Sequence, residues 1–325
     1  RRLGRRGRTP LTQLAVRFSR VRSGLAETTH EVIAIAIDGD GNDLFSAGNI
    51  DRPFFYRSAV KPLQAMATLR AGADLSEEQL AIACSSHGGF PVHLALVESI
   101  LASVDLTPGN LQCPPGTPLN EQAQRIQDHL GRRGRERIFH NCSGKHSAWL
   151  AGCVASGWDI ETYLDPNHPI QRSVIEIAAE ATGANPEPLG VDGCGAPTLR
   201  GSVQSLAAGF RTLTTDPDFA RIAFAMTRFG ALVADNVSSD GRVGINWGGP
   251  SKIGAEGLFA ASRQGITIVT KSLEGSTDIA VAAQLEVANR IGGLPRGTAE
   301  WLEPVAHPPV LGGGMPVGRL ELVDG

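Results

Sequence analysis

The chain is poor in aromatic residues: Phe, Trp and Tyr together make up 5% of its 325 residues, with only two Tyr. They are not interleaved with basic residues, which argues against a surface for stacking single-stranded bases. No GxGxxG and no Gly-rich loop ending in Gly-Lys-Ser/Thr follows a strand-like run, so nucleotide phosphate binding has little support. No apolar run approaches a transmembrane span, and the apolar region of a secretory signal is missing, so no membrane partner is expected. Cysteine pairs are absent too. Cys84, Cys113, Cys142, Cys153 and Cys194 are an odd number at wide spacings, which fits reduced thiols in a cytoplasmic protein, some free to bind metal. Acidic residues are absent from one stretch, residues 1–22, which holds eight Arg. The net charge of −3 therefore conceals a more acidic body, and no nucleic-acid partner is expected. The Arg-rich head reads as an extension over residues 1–20, ahead of one large domain over 21–325.

What is present is an ordinary globular composition, 42% hydrophobic, with 39 Gly and 20 Pro that imply many turns and close backbone approaches. Glu31 to Asp38 is an apolar strand-like run closed by the turn Gly39-Asp40-Gly41-Asn42, and Asp43 to Ala47 reads as its hairpin partner. Helical patterns follow from Ser58 to Arg70, Leu80 to Ala83, His93 to Ser103, Glu121 to Leu130, Ser147 to Ala155, Pro169 to Thr182, Gln204 to Phe210 and Pro217 to Val233. Ile245 to Gly254 is glycine-dense and resembles a strand edge lying against a ligand. Leu258 to Ala261 and Gly265 to Lys271 form a hairpin-like pair, Asp278 to Asn289 a long helix, and Gly318 to Leu322 a short final strand. Strands cluster at both ends with helices between them, which predicts an α+β fold: an antiparallel sheet joined by the two termini, with a helical subdomain at roughly 75–235.

The chemistry centres on Arg57-Ser58-Ala59-Val60-Lys61-Pro62, where a hydroxyl and an amine stand three residues apart at the start of a helix. On a helix Lys61 shares a face with Ser58 and, if desolvated, takes its proton, while N–H groups at the helix start favour a developing oxyanion. The bland alternative is a capping serine beside a snorkelling lysine. Ser86 in Ser85-Ser86-His87-Gly88-Gly89 is a candidate proton relay, and Lys252 in Pro250-Ser251-Lys252-Ile253-Gly254 a second amine, or else a solvated turn lysine. Cys142, which shares a helical face with Lys145, and Cys194, next to Asp192, would suit zinc, with His146 and Asp192 as further ligands or flanking partners; the alternative is two thiols buried as small hydrophobes. Arg57 reads as a carboxylate clamp or a surface charge, His87 as a site residue or a satisfied loop histidine, and Asp192 as a partner or a turn cap.

Taken together, Val21 to His30, Arg57 to Gln64, Ser86 to Gly89, Cys142-Ser143-Gly144-Lys145-His146, Asp192-Gly193-Cys194 and Lys252 to Gly257 resemble the rhizobial-type, or type II, L-asparaginase family. The resemblance runs from about residue 20 to the end. It implies a fold like that of serine β-lactamases, penicillin-binding proteins and glutaminases, usually dimeric, and hydrolysis of the small-molecule substrate L-asparagine to L-aspartate and ammonia. By carry-over, Ser58 is the nucleophile, Lys61 its partner, Ser86 the second active-site serine and Lys252 the strand lysine. Cys142, Lys145 and Cys194 match the zinc ligands, with Arg57, His87, Asp192 and His146 around the substrate. Two departures stand out. Gly88-Gly89-Phe90 replaces a pattern that resembles Ser-Gly-Glu and removes a carboxylate able to meet the substrate's amino group, and Ala148 stands where glycine is common. Three other readings stay open: a zinc-hydroxide hydrolase, a serine-reactive lactam or peptide hydrolase, and a non-catalytic module that binds an amino acid or a metal.

Overall fold

The computed structural model describes residues 16–323 apart from 236, 237, 264, 296 and 298. The chain enters as β1 (Val16–Arg22), turns at Ser23-Gly24 and runs back as the long strand β2 (Leu25–Asp38). The first half of β2 pairs with β1, from Arg22 opposite Leu25 to Val16 opposite Val32. Its second half takes β3 (Asp43–Ala47) on that same edge. Helices then occupy most of the chain up to residue 247. Three strands follow, β8 (Ser251–Gly254), β9 (Leu258–Arg263) and β10 (Ile266–Ser272), before β11 (Pro309–Gly312) and β12 (Met315–Val323) close the sheet; the two-residue strands β4 (Phe54–Phe55), β5 (Gly190–Val191), β6 (Pro197–Thr198) and β7 (Arg200–Gly201) lie outside it. The sheet runs β11-β12-β1-β2-β10-β9-β8, antiparallel throughout, with β3 attached to β2. The first and last described strands therefore meet in it, as the clustering of strand signals predicts.

The apolar run of β2 is explained by burial on two faces. Ile33, Ile35 and Ile37 point to one side and Val32, Ala34 and Ala36 to the other, the period-two alternation of a strand. The isoleucine side packs on the helical layer. This comprises α1 (Lys61–Arg70), α2 (Glu77–Ala83), α3 (Pro91–Ala102), α4 (Glu121–His129), α5 (Ser143–Ser156), α6 (Pro169–Thr182), α7 (Val203–Thr215), α8 (Ala220–Arg228) and α9 (Gly230–Val233). The alanine side accepts the Ala-rich α11 (Thr277–Arg290), with α10 (Ser239–Trp247) and α12 (Ala299–Ala306) beside it. Small side chains on both partners let helix and sheet approach closely.

Three expectations need correction. The Arg-rich head was expected to lie outside the fold through residue 20, yet β1 starts at Val16, and Phe18 is buried between strands paired on both sides; residues 1–15 lie outside the described residues. The ligand-facing strand edge expected over 245–254 divides in two: Ile245 to Trp247 is the last turn of α10, and β8 begins only at Ser251. The chain from Leu302 onward, which reads as proline- and glycine-rich up to the final strand, instead begins inside α12 (Ala299–Ala306), with Pro304 within the helix.

Candidate active site

Ser58 sits where three local constraints meet. Phe54 and Phe55, as β4, pair with Gly201 and Arg200 of β7 (Arg200–Gly201), and the backbone N–H of Tyr56 donates to Leu199 O at 2.9 Å. Tyr56 is fully buried, and its hydroxyl meets Ser205 Oγ at 2.7 Å. Arg57 then adopts φ +50°, a left-handed conformation that costs a non-glycine residue on the order of 1–3 kcal/mol. Its Nε donates to Asp192 Oδ1 at 2.8 Å, which holds the strained residue from the side. Residues Arg57–Val60 form a single 3-10 turn that runs into α1, with Ser58 half-buried. Behind it, a Cβ on Gly254 would stand 2.8 Å from Tyr56 O, so β8 lies directly against the serine turn only because residue 254 has no side chain.

Ser86 is the hub of the polar network. Its Oγ lies 3.0 Å from Lys61 Nζ and 3.0 Å from Lys252 Nζ, and Lys61 also donates to the carbonyl of Ser85. Lys61 is 1% exposed and Lys252 2%, so neither is a solvated surface lysine. Burial, reinforced by the charge of Lys61, pulls Lys252 down to about 7. The loop that carries Ser86 is pinned by Ser86 N–H to Val233 O at 3.0 Å and His87 N–H to Asn141 O at 3.2 Å. Gly89 has φ +86°, and a Cβ there would fall 2.7 Å from Pro118 Cβ, which explains a glycine at that point of the loop. Ser58 and Ser86 line one cavity of about 200 Å³, together with Asn141, Asp235, Ser238, Asp240 and Ile253.

The Lys61 pairing differs from expectation. Its amine turns to Ser85 and Ser86, and Ser58 is not among its hydrogen-bond partners. His87 also turns inward: it is fully buried, with Nε2 2.8 Å from Ser143 Oγ, and its ring faces His93 with centroids 5.4 Å apart. Burial holds it well below the usual histidine range, so it is a neutral core residue rather than a wall of the cavity. Asp235 and Asp240 carry no motif and were not singled out in the sequence. Their signal was faint: they are the only two acids in residues 219–255. Asp240 also lines a small inner cavity with Lys252; burial raises its carboxyl and the lysine's charge opposes that.

Cys142, Lys145 and Cys194 come together one layer deeper. Lys145 Nζ donates to Cys194 Sγ at 3.3 Å and rests over the Trp149 ring, 4.6 Å from its centroid. The Cys142 thiol donates to Asn141 Oδ1 at 3.5 Å; its interaction with Cys194, together with burial, holds Cys142 well above its ordinary value, while Cys142 and the charge of Lys145 lower Cys194 against its burial. His146 flanks the pair; burial lowers it to about 4, Nδ1 lies 2.8 Å from the Tyr163 hydroxyl, and buried Nε2 has no hydrogen-bond partner. Like His87 it is fully buried and does not line the cavity. Among the described residues no group of three or more His, Cys, Asp and Glu is placed to hold a metal. Here an amine takes the third place; Lys145 is held as an ammonium by the two cysteines and Asp192 despite its burial, so once it gives up a proton the two sulfurs and its nitrogen are a donor set that fits a thiophilic ion such as zinc. Through Arg57 and Asp192 this loop is tied directly to the serine turn.

An antiparallel sheet flanked by helices, with two serines and two buried lysines at the junction, defines an α+β hydrolase of the serine–lysine type. The L-asparaginase II family model matches residues 18–322, and the chain belongs to that family of amidohydrolases. No curated protein matches the chain in sequence. Among solved structures it is similar to a β-lactamase from Mycobacterium bovis, 16% identical with a TM-score of 0.45, covering 83% of this chain and 94% of that one. A structure titled Mglu is 15% identical with a TM-score of 0.44, covering 82% of this chain and 68% of that one. A mutant Streptomyces DD-transpeptidase is 14% identical with a TM-score of 0.42, covering 81% and 97%. Among the described residues no helix is long and apolar enough to cross a membrane.

Proposed function

We propose that the chain hydrolyses the side-chain amide of L-asparagine to L-aspartate and ammonia, with Ser58 as the nucleophile. The observation that carries this reading is Ser86 Oγ at 3.0 Å from two buried amines, in the wall of the cavity that also exposes Ser58. Two ammonium ions at one oxygen repel, so Lys252, lowered to about 7, is the amine that accepts a proton. Ser58 attacks the amide carbon, and its proton passes by way of Ser86 and the two lysines to the departing ammonia. Backbone N–H groups at the start of the helix steady the oxyanion, and water then cleaves the aspartyl ester. Arg57 and Asp192 hold the turn that presents Ser58.

Cys142, Lys145 and Cys194 would hold a zinc ion, with His146 and Asp192 beside it. When bound, zinc supplies a fixed positive charge next to the substrate pocket. We also read the chain as one catalytic domain with a helical subdomain at roughly 75–235, active as a cytoplasmic homodimer; five buried, unpaired cysteines support the reducing compartment. Ammonia release from asparagine by purified protein tests the activity. Ser58→Ala is expected to lower kcat by at least about a thousandfold; near-normal turnover would shift the reading to a zinc-bound hydroxide. A second reading, Ser86 as the attacking hydroxyl, is favoured by its two amine contacts, and Ser86→Ala is the parallel test.

A further inference from the structure

We propose that Thr28, His30 and Glu274 form a second hydrolytic centre, in which the Thr28 hydroxyl is acylated by small activated carboxylic esters and then freed by water. The proposal is independent of the asparagine reading, and the three residues lie apart from that site: none of them lines the cavity of Ser58 and Ser86. Thr28 Oγ1 is 2.8 Å from His30 Nε2, and His30 Nδ1 is 2.7 Å from Glu274 Oε1. A hydroxyl, an imidazole and a carboxylate in that order are a nucleophile, a general base and the group that orients the base, a set recognised by geometry and role rather than by fold.

Strand pairing assembles the set. Thr28 and His30 stand two residues apart on β2, so their side chains leave the same face of the sheet. β10 runs alongside β2 as far as Ser272 opposite Val32, and Leu273 N–H then donates to Glu31 O at 3.0 Å, which carries the chain past the strand end and sets Glu274 beside His30. Burial raises the Glu274 carboxyl, but hydrogen bonds, one of them with His30, outweigh it and hold the group below its ordinary value. A carboxylate only accepts, so the Nδ1 proton points to Glu274, and Nε2 of the neutral ring is the acceptor for the Thr28 hydroxyl. Arg20 N–H donates to Thr28 Oγ1 at 3.4 Å, which leaves the hydroxyl hydrogen to the imidazole. The His30 side chain is 11% exposed and Thr28 is open to solvent, so the base is sheltered and the nucleophile accessible. Arg20 also stands directly opposite Thr28 on β1, which puts its side chain on the face where an oxyanion would develop, and among the described residues it has no ion-pair partner.

Thr28 Oγ1 adds to the ester carbonyl carbon and gives its proton to His30 Nε2; the bond to the leaving oxygen then breaks as His30 passes that proton to the departing alcohol. Water adds to the threonyl ester in the same way, releasing the carboxylic acid and restoring Thr28. The test uses Ser58→Ala/Ser86→Ala protein, which lacks both hydroxyls of the first site, with p-nitrophenyl acetate as the probe. Saturable release of p-nitrophenolate is expected, and acid quenching, proteolysis and fragment mass analysis should find an acetyl group on Thr28, in this protein and in the wild type. Thr28→Val and His30→Gln, each added to that background, should lower kcat/KM about a hundredfold, and Thr28→Ser should keep it. Release no faster than in buffer, or an acetyl group found only on other residues, overturns the proposal with the triad intact, so a poorly folded T28V or H30Q does not shield it. A folded T28V that releases p-nitrophenolate as fast as its parent overturns it too.

Discussion

Ser86 Oγ is shared by two lysine amines that water does not reach, and that one contact sets much of the chemistry. Burial disfavours the charged amine, and the neighbouring Lys61 disfavours it further, so Lys252 changes protonation near neutral pH. Only the neutral amine can take a proton from Ser86. We therefore expect kcat/KM for asparagine to rise as pH climbs through about 7, with Lys252→Arg removing activity across the range; a rate flat between pH 6 and 8 would place the titrating base elsewhere. Ser58, Ser86 and Lys252 stand out in the sequence because each lies in a short polar or glycine-rich setting, and the structure brings them together. The direction of Lys61 was not. Spacing put it beside Ser58, but a buried ammonium goes where a carbonyl can solvate it, and the Ser85 carbonyl is that group. His87 misled for the opposite reason: a polar loop motif gave no hint that its ring packs into the core on His93.

At the scale of elements, the serine turn depends on pieces far apart in sequence. The β4–β7 pairing, Tyr56 and the Arg57–Asp192 ion pair converge to hold one residue at positive φ. Most helices were legible from period and caps; Ser76, for instance, makes a capping box with Gln79 at the start of α2. The helix α10 was hidden by Gly241 and Gly244, each of which lowers helix propensity by about 1 kcal/mol relative to alanine. Packing reverses that penalty. A Cβ on Gly241 would overlap the Asp235 carbonyl at 1.6 Å, so a residue that is poor for an isolated helix is the one that fits here. Strand β1 was hidden by its arginines, which lie at partly exposed positions while Val16 and Phe18 face inward. Phe18→Ala should therefore cost about 3–5 kcal/mol in a denaturant titration; a loss below 1 kcal/mol would mean that β1 contributes little.

Over the whole molecule, the sheet joins the first and last described strands and clamps a helical layer on one face and α11 on the other. The site occupies the seam, with Ser58 and Ser86 on the helical side and Lys252 on β8 of the sheet. Relative movement of the two layers would separate the amines from their shared hydroxyl. The sulfur cluster braces the same seam through Asp192 and Arg57. Dialysed protein is expected to take up one zinc per chain with a rise in Tm, and Cys194→Ser to abolish both; wild-type uptake in C194S would exclude this cluster as the site. The α+β architecture was legible as a whole because strand signals stood at both ends of the chain. The cavity was not, since its carboxylate wall comes from a stretch with no motif and only two acids.

In the proposed reaction Ser58 carries the acyl group during turnover. The direct measurement is acid quenching of protein turning over L-asparagine, followed by proteolysis and mass analysis of the peptides. An aspartyl ester on the peptide containing Ser58, absent in Ser58→Ala, is the predicted result. The ester on the Ser86 peptide instead, or full turnover with no acylated peptide and no loss in Ser58→Ala, would contradict the account.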